Sequence, residues 1–239
     1  MHTCGGTIVQ SKIVLSAAHC FWNDEKSLFY DKSKYIVTAG KFHLDYNSDK
    51  ETFEVQRVLI SKIDVPKTFR GSENNFEGDI AVLTLDNHIK FSDHVIPICV
   101  LWSTGFGQFN PNGLSGYVVG FNSNDSSTNG HLLREVPLTG IDTQKCQKYE
   151  NVANYKIPDD KFCAYSENKT ENICSRDGGG AFTIYDRGQL WLGGIFSNII
   201  TPNTSYHSGC DETLIRTFTN IYSHESFIKN VISNLSQAD

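Results

Sequence analysis

Two residues in this chain have the types and settings of a general base and the carboxylate that orients it. His19 sits in Ser16-Ala17-Ala18-His19-Cys20, and histidine is the side chain whose unperturbed pKa lies near neutral pH. Asp79 sits in Gly78-Asp79-Ile80-Ala81-Val82-Leu83, at the head of an apolar run that reads as a buried strand. A carboxylate there needs a partner, because an isolated charge among apolar groups is expensive. Such a pair serves acyl transfer when a hydroxyl nucleophile and backbone donors for an oxyanion stand beside it. A third segment, Cys174-Ser175-Arg176-Asp177-Gly178-Gly179-Gly180-Ala181, is a glycine-rich turn between two strands. No Gly-Lys-Ser/Thr ending follows it, which excludes a phosphate-cradling loop.

The elements that must position these residues are short strands. Thr7-Ile8-Val9 and Ile13-Val14-Leu15 flank Gln10-Ser11 and read as a hairpin. Further strands are expected at Tyr35 to Val37, Phe53 to Val55, Ile80 to Leu83, Tyr117 to Val119, Phe162 to Ala164, Ala181 to Ile184 and Leu190 to Leu192. Many short strands with turns between them predict a sandwich or barrel. From Ser223 onward, Phe227, Ile228, Val231, Ile232 and Leu235 recur at helical spacing, which predicts an amphipathic C-terminal helix. Trp102 to Pro111 has no period and reads as the link between two halves.

At 239 residues the chain can form one large all-β unit or two small domains. A net charge of −6 gives no nucleic-acid footprint, and no apolar run approaches membrane-span length. There are seven cysteines, without zinc-ribbon pairs. Scattered in this way they predict disulfides and an oxidising compartment. Acceptor sequons at Asn124, Asn168, Asn203 and Asn234 agree, so the expected location is extracellular and secreted. Met1 is not followed by a charged segment and an apolar core, so the expectation is a domain cut from a longer precursor.

Cys4-Gly5-Gly6-Thr7-Ile8, Ala17-Ala18-His19-Cys20, Asp79 to Leu83 and Cys174 to Gly180 together resemble the trypsin/chymotrypsin family of serine proteases. The resemblance runs over nearly the whole chain, in order. Gly193 to Ser197 and Thr217 to Asn220 are similar, more narrowly, to modular serine proteases of arthropod immune cascades. The family resemblance implies two six-stranded Greek-key barrels and a C-terminal helix. It divides the chain into residues 1–105, carrying His19 and Asp79, and 106–239, carrying the glycine-rich loop. The first strand of the first barrel is expected to be missing, since only Met1, His2 and Thr3 precede Cys4.

By the same resemblance His19 is the base, Asp79 its carboxylate, and Gly178 stands at the nucleophile position, where the family carries serine. Without a hydroxyl no acyl-enzyme forms. Arg176 stands where a glycine N–H helps form the oxyanion hole. Asp177 matches the aspartate that pairs with a newly exposed amino terminus, and no such terminus precedes Cys4. Asn172, Ser197 and Arg216 fall around the primary specificity pocket, with Arg216 expected to plug it or turn it toward acidic groups. The implied disulfides are Cys4–Cys20, Cys146–Cys163 and Cys174–Cys210, with Cys99 left to tie the domain to an upstream chain. Gly40-Lys41-Phe42-His43 opens a loop that binds calcium in some relatives, but a lysine replaces an expected ligand. Asp45, Asp49 and Glu51 then read as a solvated acidic loop, and no metal and no cofactor are expected. The remaining histidines read as surface or satisfied core groups.

The expected function is a non-catalytic serine protease homologue that serves as a binding or adaptor module for extracellular proteases or zymogens in a cascade, innate immunity among them. The alternatives are an active endopeptidase and a decoy that occupies inhibitor or substrate.

Overall fold

The computed structural model describes residues 4–51, 54–100, 102, 109–121, 132–148, 155–166, 173–200 and 215–235. The fold is all-β: a curled half-barrel, a closed six-stranded barrel and a C-terminal helix, the chymotrypsin fold.

The first sheet is built from β1 (Thr7–Gln10), β2 (Ile13–Ser16), β5 (Ile36–Ala39), β6 (Gln56–Asp64) and β7 (Ala81–Leu85), with a small hairpin of β3 (Trp22–Asn23) and β4 (Leu28–Phe29) beside it. Its order is β1-β2-β7-β6-β5, all antiparallel. Every residue of β7, Thr84 included, is buried, as fits a largely apolar strand at the centre of the sheet. The strand expected from Phe53 begins at Gln56, and its alternating burial carries Val58 and Ile60 inward.

The second sheet comprises β8 (Ser115–Gly120), β9 (Arg134–Ile141), β10 (Lys161–Tyr165), β11 (Ala181–Asp186), β12 (Gln189–Ile200) and β13 (Ile215–Asn220). It closes in the order β10-β13-β12-β11-β8-β9, which leaves no free edge. Phe162, Phe182, Phe196 and Phe218 fill it, all within 1% of full burial, with neighbouring ring centroids 5.3–5.4 Å apart. Each such ring contributes about 2 kcal/mol by burial.

α1 (Thr143–Cys146) is one turn, capped by the Asp142 carboxylate on the Lys145 N–H. It carries Cys146 into a disulfide with Cys163 of β10. α2 (Glu225–Leu235) follows a 3-10 turn at Ile221–His224 and buries Ile228. Phe227, Val231, Ile232 and Leu235 pack beside Ile228 against the core that also holds Leu192 and Ile195 of β12. The expected 105/106 division, and most of the expected linker, lie outside the described residues.

In the loop after β5, Asp45 and Asp49 are exposed as expected, and Glu51 alone corrects the solvated-acid expectation. Glu51 and Lys41 form an ion pair at 2.8 Å, each side chain only 8% exposed. The carboxylate also accepts from the Phe42 and His43 N–H groups, while Lys41 Nζ donates to the Asp45 carbonyl at 2.7 Å. Burial would raise the Glu51 pKa, but Lys41 and the two backbone donors hold it below its ordinary value. An ammonium therefore occupies the centre of the loop and draws its oxygens together. Lys41→Met is expected to cost about 3 kcal/mol, the low end for breaking a buried pair, because solvent is close on the outer side. Calcium should not restore the loss. Urea unfolding with and without calcium measures both.

Candidate active site

His19 is held by the 3-10 turn Ala18–Phe21, which follows β2 directly. The disulfide Cys4–Cys20 ties that turn to the start of the chain. Asp79 comes from the other side, on the loop entering β7. This loop reverses sharply, with Asn75, Phe76 and Gly78 at positive φ. A Cβ on Gly78 would stand 2.7 Å from Thr68 Oγ1, so glycine is required there. The reversal sets the Phe76 ring edge-on to His19, with centroids 6.2 Å apart.

His19 Nδ1 lies 2.8 Å from Asp79 Oδ2, and the His19 backbone N–H donates to Asp79 Oδ1 at 2.8 Å. The carboxylate is wholly buried, and the histidine side chain is 23% exposed. Ser197 donates its hydroxyl to Asp79 Oδ2 at 2.5 Å. Burial alone would raise the Asp79 pKa. The adjoining His19, the Lys161 ammonium and the hydroxyl of Ser197 overcome it and hold the carboxyl down at about 2. The geometry thus presents an imidazole oriented through Nδ1 by a fixed carboxylate.

The glycine-rich loop packs against the segments that flank and carry His19. Gly178 is buried, and its carbonyl accepts from Gly5 N at 2.7 Å. Cys20 Sγ lies 3.9 Å from that carbonyl and 3.7 Å from His19 Nε2. One sulfur therefore touches both the histidine and the loop. Gly179 donates to the Phe196 carbonyl, and Phe196 N–H donates to Gly180 O, both at 2.8 Å, so β12 fixes the loop from beneath. Arg176 is exposed on the 3-10 turn Ser175–Asp177. Asp177 is 2% exposed and accepts from the Phe121 and Cys174 N–H groups, each at 2.9 Å. Charge-assisted backbone bonds of this kind stabilise a carboxylate without requiring a cation.

Ser197, expected at the specificity pocket, turns its hydroxyl onto Asp79 and is 5% exposed. Arg216 on β13 is fully buried, with Nη2 3.5 Å from the Ile173 carbonyl. Cys174 is disulfide-bonded. Its expected mate Cys210, together with Asn172, Asn124, Asn168 and Asn203, lies outside the described residues. Asn234 is exposed on α2. Cys99 carries a free, half-buried thiol, and its backbone bonds to Leu190 and Leu192. Cys4, His19 and Cys20 converge as metal ligands would, but both sulfurs are already spent in a disulfide.

Sequence reasoning missed several groups. Lys161 is buried against Ser197 and Thr219. His224 Nε2 meets Asp160 Oδ2 at 2.7 Å, and Gly78 N–H donates to the same oxygen. The signal available was the run Asp159-Asp160-Lys161 set directly against an apolar strand. An open hollow of about 820 Å³ is lined by Asp142, Gln147 and Lys156, among others, and reaches none of His19, Asp79 or Gly178.

Acid sensitivity follows from the carboxylates. Burial pushes the Asp160 pKa up, but His224, Lys161 and Gly78 N–H bring it below its ordinary value, as happens at Asp79 and Glu51. Folded-state pKa values below the unfolded ones give stability that is fully present above about pH 5 and lost as pH falls from about 4 toward 2. Asp79 alone supplies about 2 kcal/mol of this. Urea midpoints should be level from pH 7 to 5 and fall steeply by pH 3.

The pattern of the trypsin family matches residues 1–226. The modular serine protease of Drosophila melanogaster is 28% identical over 241 residues, covering 96% of this chain and 36% of that protein. Complement C1r-A subcomponent of Mus musculus is 29% identical over 214 residues, covering 87% and 28% respectively. Coagulation factor IX of Cavia porcellus is 29% identical over 197 residues, covering 81% and 63%. The chain thus spans about a third of the first two relatives' length. With the barrel, the half-barrel and the His19–Asp79 pair in the arrangement described, a match over nearly the whole chain shows that it belongs to the trypsin family of serine proteases.

Proposed function

We propose that this trypsin-family domain binds rather than cuts, as a secreted serine protease homologue in an extracellular cascade. One observation carries the reading: the loop residue packed on Cys20, the neighbour of His19, is Gly178, which has no hydroxyl. A base and carboxylate without a nucleophile leave only residual catalysis, on the order of a millionfold below the intact set. Arg176 at the loop and Arg216 buried in the second barrel support the same reading, since both occupy positions of glycine by resemblance to the family. The partners that suit it are proteases or zymogens, reached by surface loops on a rigid scaffold. The relatives named for complement and coagulation favour that setting. Disulfides favour an oxidising compartment, with glycans at Asn124, Asn168, Asn203 and Asn234 and Cys99 bonded to an upstream segment.

A fluorophosphonate probe tests the reading. No labelling is expected at concentrations that saturate trypsin. Stoichiometric labelling, lost in His19→Ala, would establish the active endopeptidase instead.

A further inference from the structure

We propose that Lys161 is the fixed counter-cation of Asp79, an ammonium built into the second barrel that carries the charge balance of the buried carboxylate and makes His19 dispensable to the fold. Lys161 opens β10 and is 3% exposed. Its Nζ donates to Ser197 Oγ at 3.0 Å and to Thr219 Oγ1 at 2.6 Å. Both hydroxyls pass the polarity on to the same residue: Ser197 to Asp79 Oδ2 at 2.5 Å, and Thr219 to the Asp79 carbonyl at 2.8 Å. Two relays thus run from one ammonium on β10, through β12 and β13, to the loop that enters β7. They also bridge the two sheets.

The alternative cation is His19, but its side chain is 23% exposed, whereas Lys161 is 3% exposed and held inside the second barrel. The other carboxylates facing Lys161 are Asp160 and Glu77. Asp160 is engaged by His224 and by Gly78 N–H, and Glu77 is exposed. Asp79, wholly buried, has the greatest need. Burial pushes the Lys161 pKa down, and the three carboxylates offset part of that, leaving it below its ordinary value. A carboxylate already balanced by a fixed neighbouring cation attracts an imidazolium less strongly, so the device that secures the pair also weakens it for proton transfer. The inference stands on this geometry and does not depend on the proposed loss of catalysis.

The test is a double-mutant cycle read by denaturant unfolding at pH 7. His19→Ala should lower the folding equilibrium constant by no more than about tenfold, and Lys161→Met by at least about a hundredfold. Asp79→Asn added to Lys161→Met should recover at least about tenfold, because the orphaned charge is gone and the amide N–H₂ can donate to Ser197. A lysine that only filled space would gain nothing from that second change. If Lys161→Met does not fold, recovery of folded protein from the double variant is the supporting result. Lys161→Met no worse than His19→Ala, or no rescue by Asp79→Asn, overturns the inference.

Discussion

Gly178→Ser, made alone, is expected to leave kcat/KM on peptide substrates about two to three powers of ten below that of trypsin assayed beside it. On the proposed reading His19 and Asp79, 2.8 Å apart, are the base and its carboxylate, and a hydroxyl at position 178 would complete the set. Three other features still stand against turnover. Arg176 carries an exposed side chain at the loop where, by family resemblance, a glycine N–H would help bind the oxyanion. Losing one such donor costs about 3 kcal/mol, or roughly a hundredfold. Arg216 places a buried guanidinium where, by family resemblance, the primary specificity pocket lies. Lys161 offsets part of the Asp79 charge that should stabilise the imidazolium. Turnover equal to trypsin would show that the loop was one hydroxyl from activity.

Gly179→Ala is expected to destabilise the fold by at least about 4 kcal/mol, the exceptional end of the range for one methyl group. Gly179 has φ +84, which an L side chain adopts only with strain. The larger effect is steric. A Cβ would stand 2.4 Å from Ser16 Oγ, 2.5 Å from the Gly5 carbonyl and 3.1 Å from Ala17 N. The hydroxyl could rotate away, but the two backbone atoms belong to the segments that hold His19 and the Cys4–Cys20 disulfide. Relief therefore requires the loop to leave β12, breaking the Gly179 and Gly180 bonds to Phe196. Gly188, also at positive φ but with open space around it, provides the control: alanine there should cost about 1 kcal/mol. Thermal unfolding of both variants measures the contrast, and equal small losses would refute it.

Local pattern made some of this architecture legible. The β1–β2 hairpin, the buried run of β7, β10, β11 and the amphipathic α2 follow from apolar periodicity and turn residues. β9 and β13 were not legible. Arg134-Glu135-Val136-Pro137 opens with charges and a proline, and Arg216 interrupts β13. Both strands are held by closure of the barrel, a long-range condition that no window of residues displays. The His19 and Asp79 candidates could be named because their local surroundings are distinctive. Lys161, Thr219 and Ser197 could not be gathered around Asp79 from sequence, because they come from three strands far apart in the chain and meet only when the sheets stack. Glu51 was misread for a related reason. Acidic residues in a polar loop look solvated until the chain folds back and places an ammonium among them.

The most direct test of the central claim compares peptide hydrolysis by the wild-type chain and His19→Ala over a broad substrate library. A domain that binds without cutting predicts identical background rates for the two. Turnover by the wild type that is lost in His19→Ala would contradict the account.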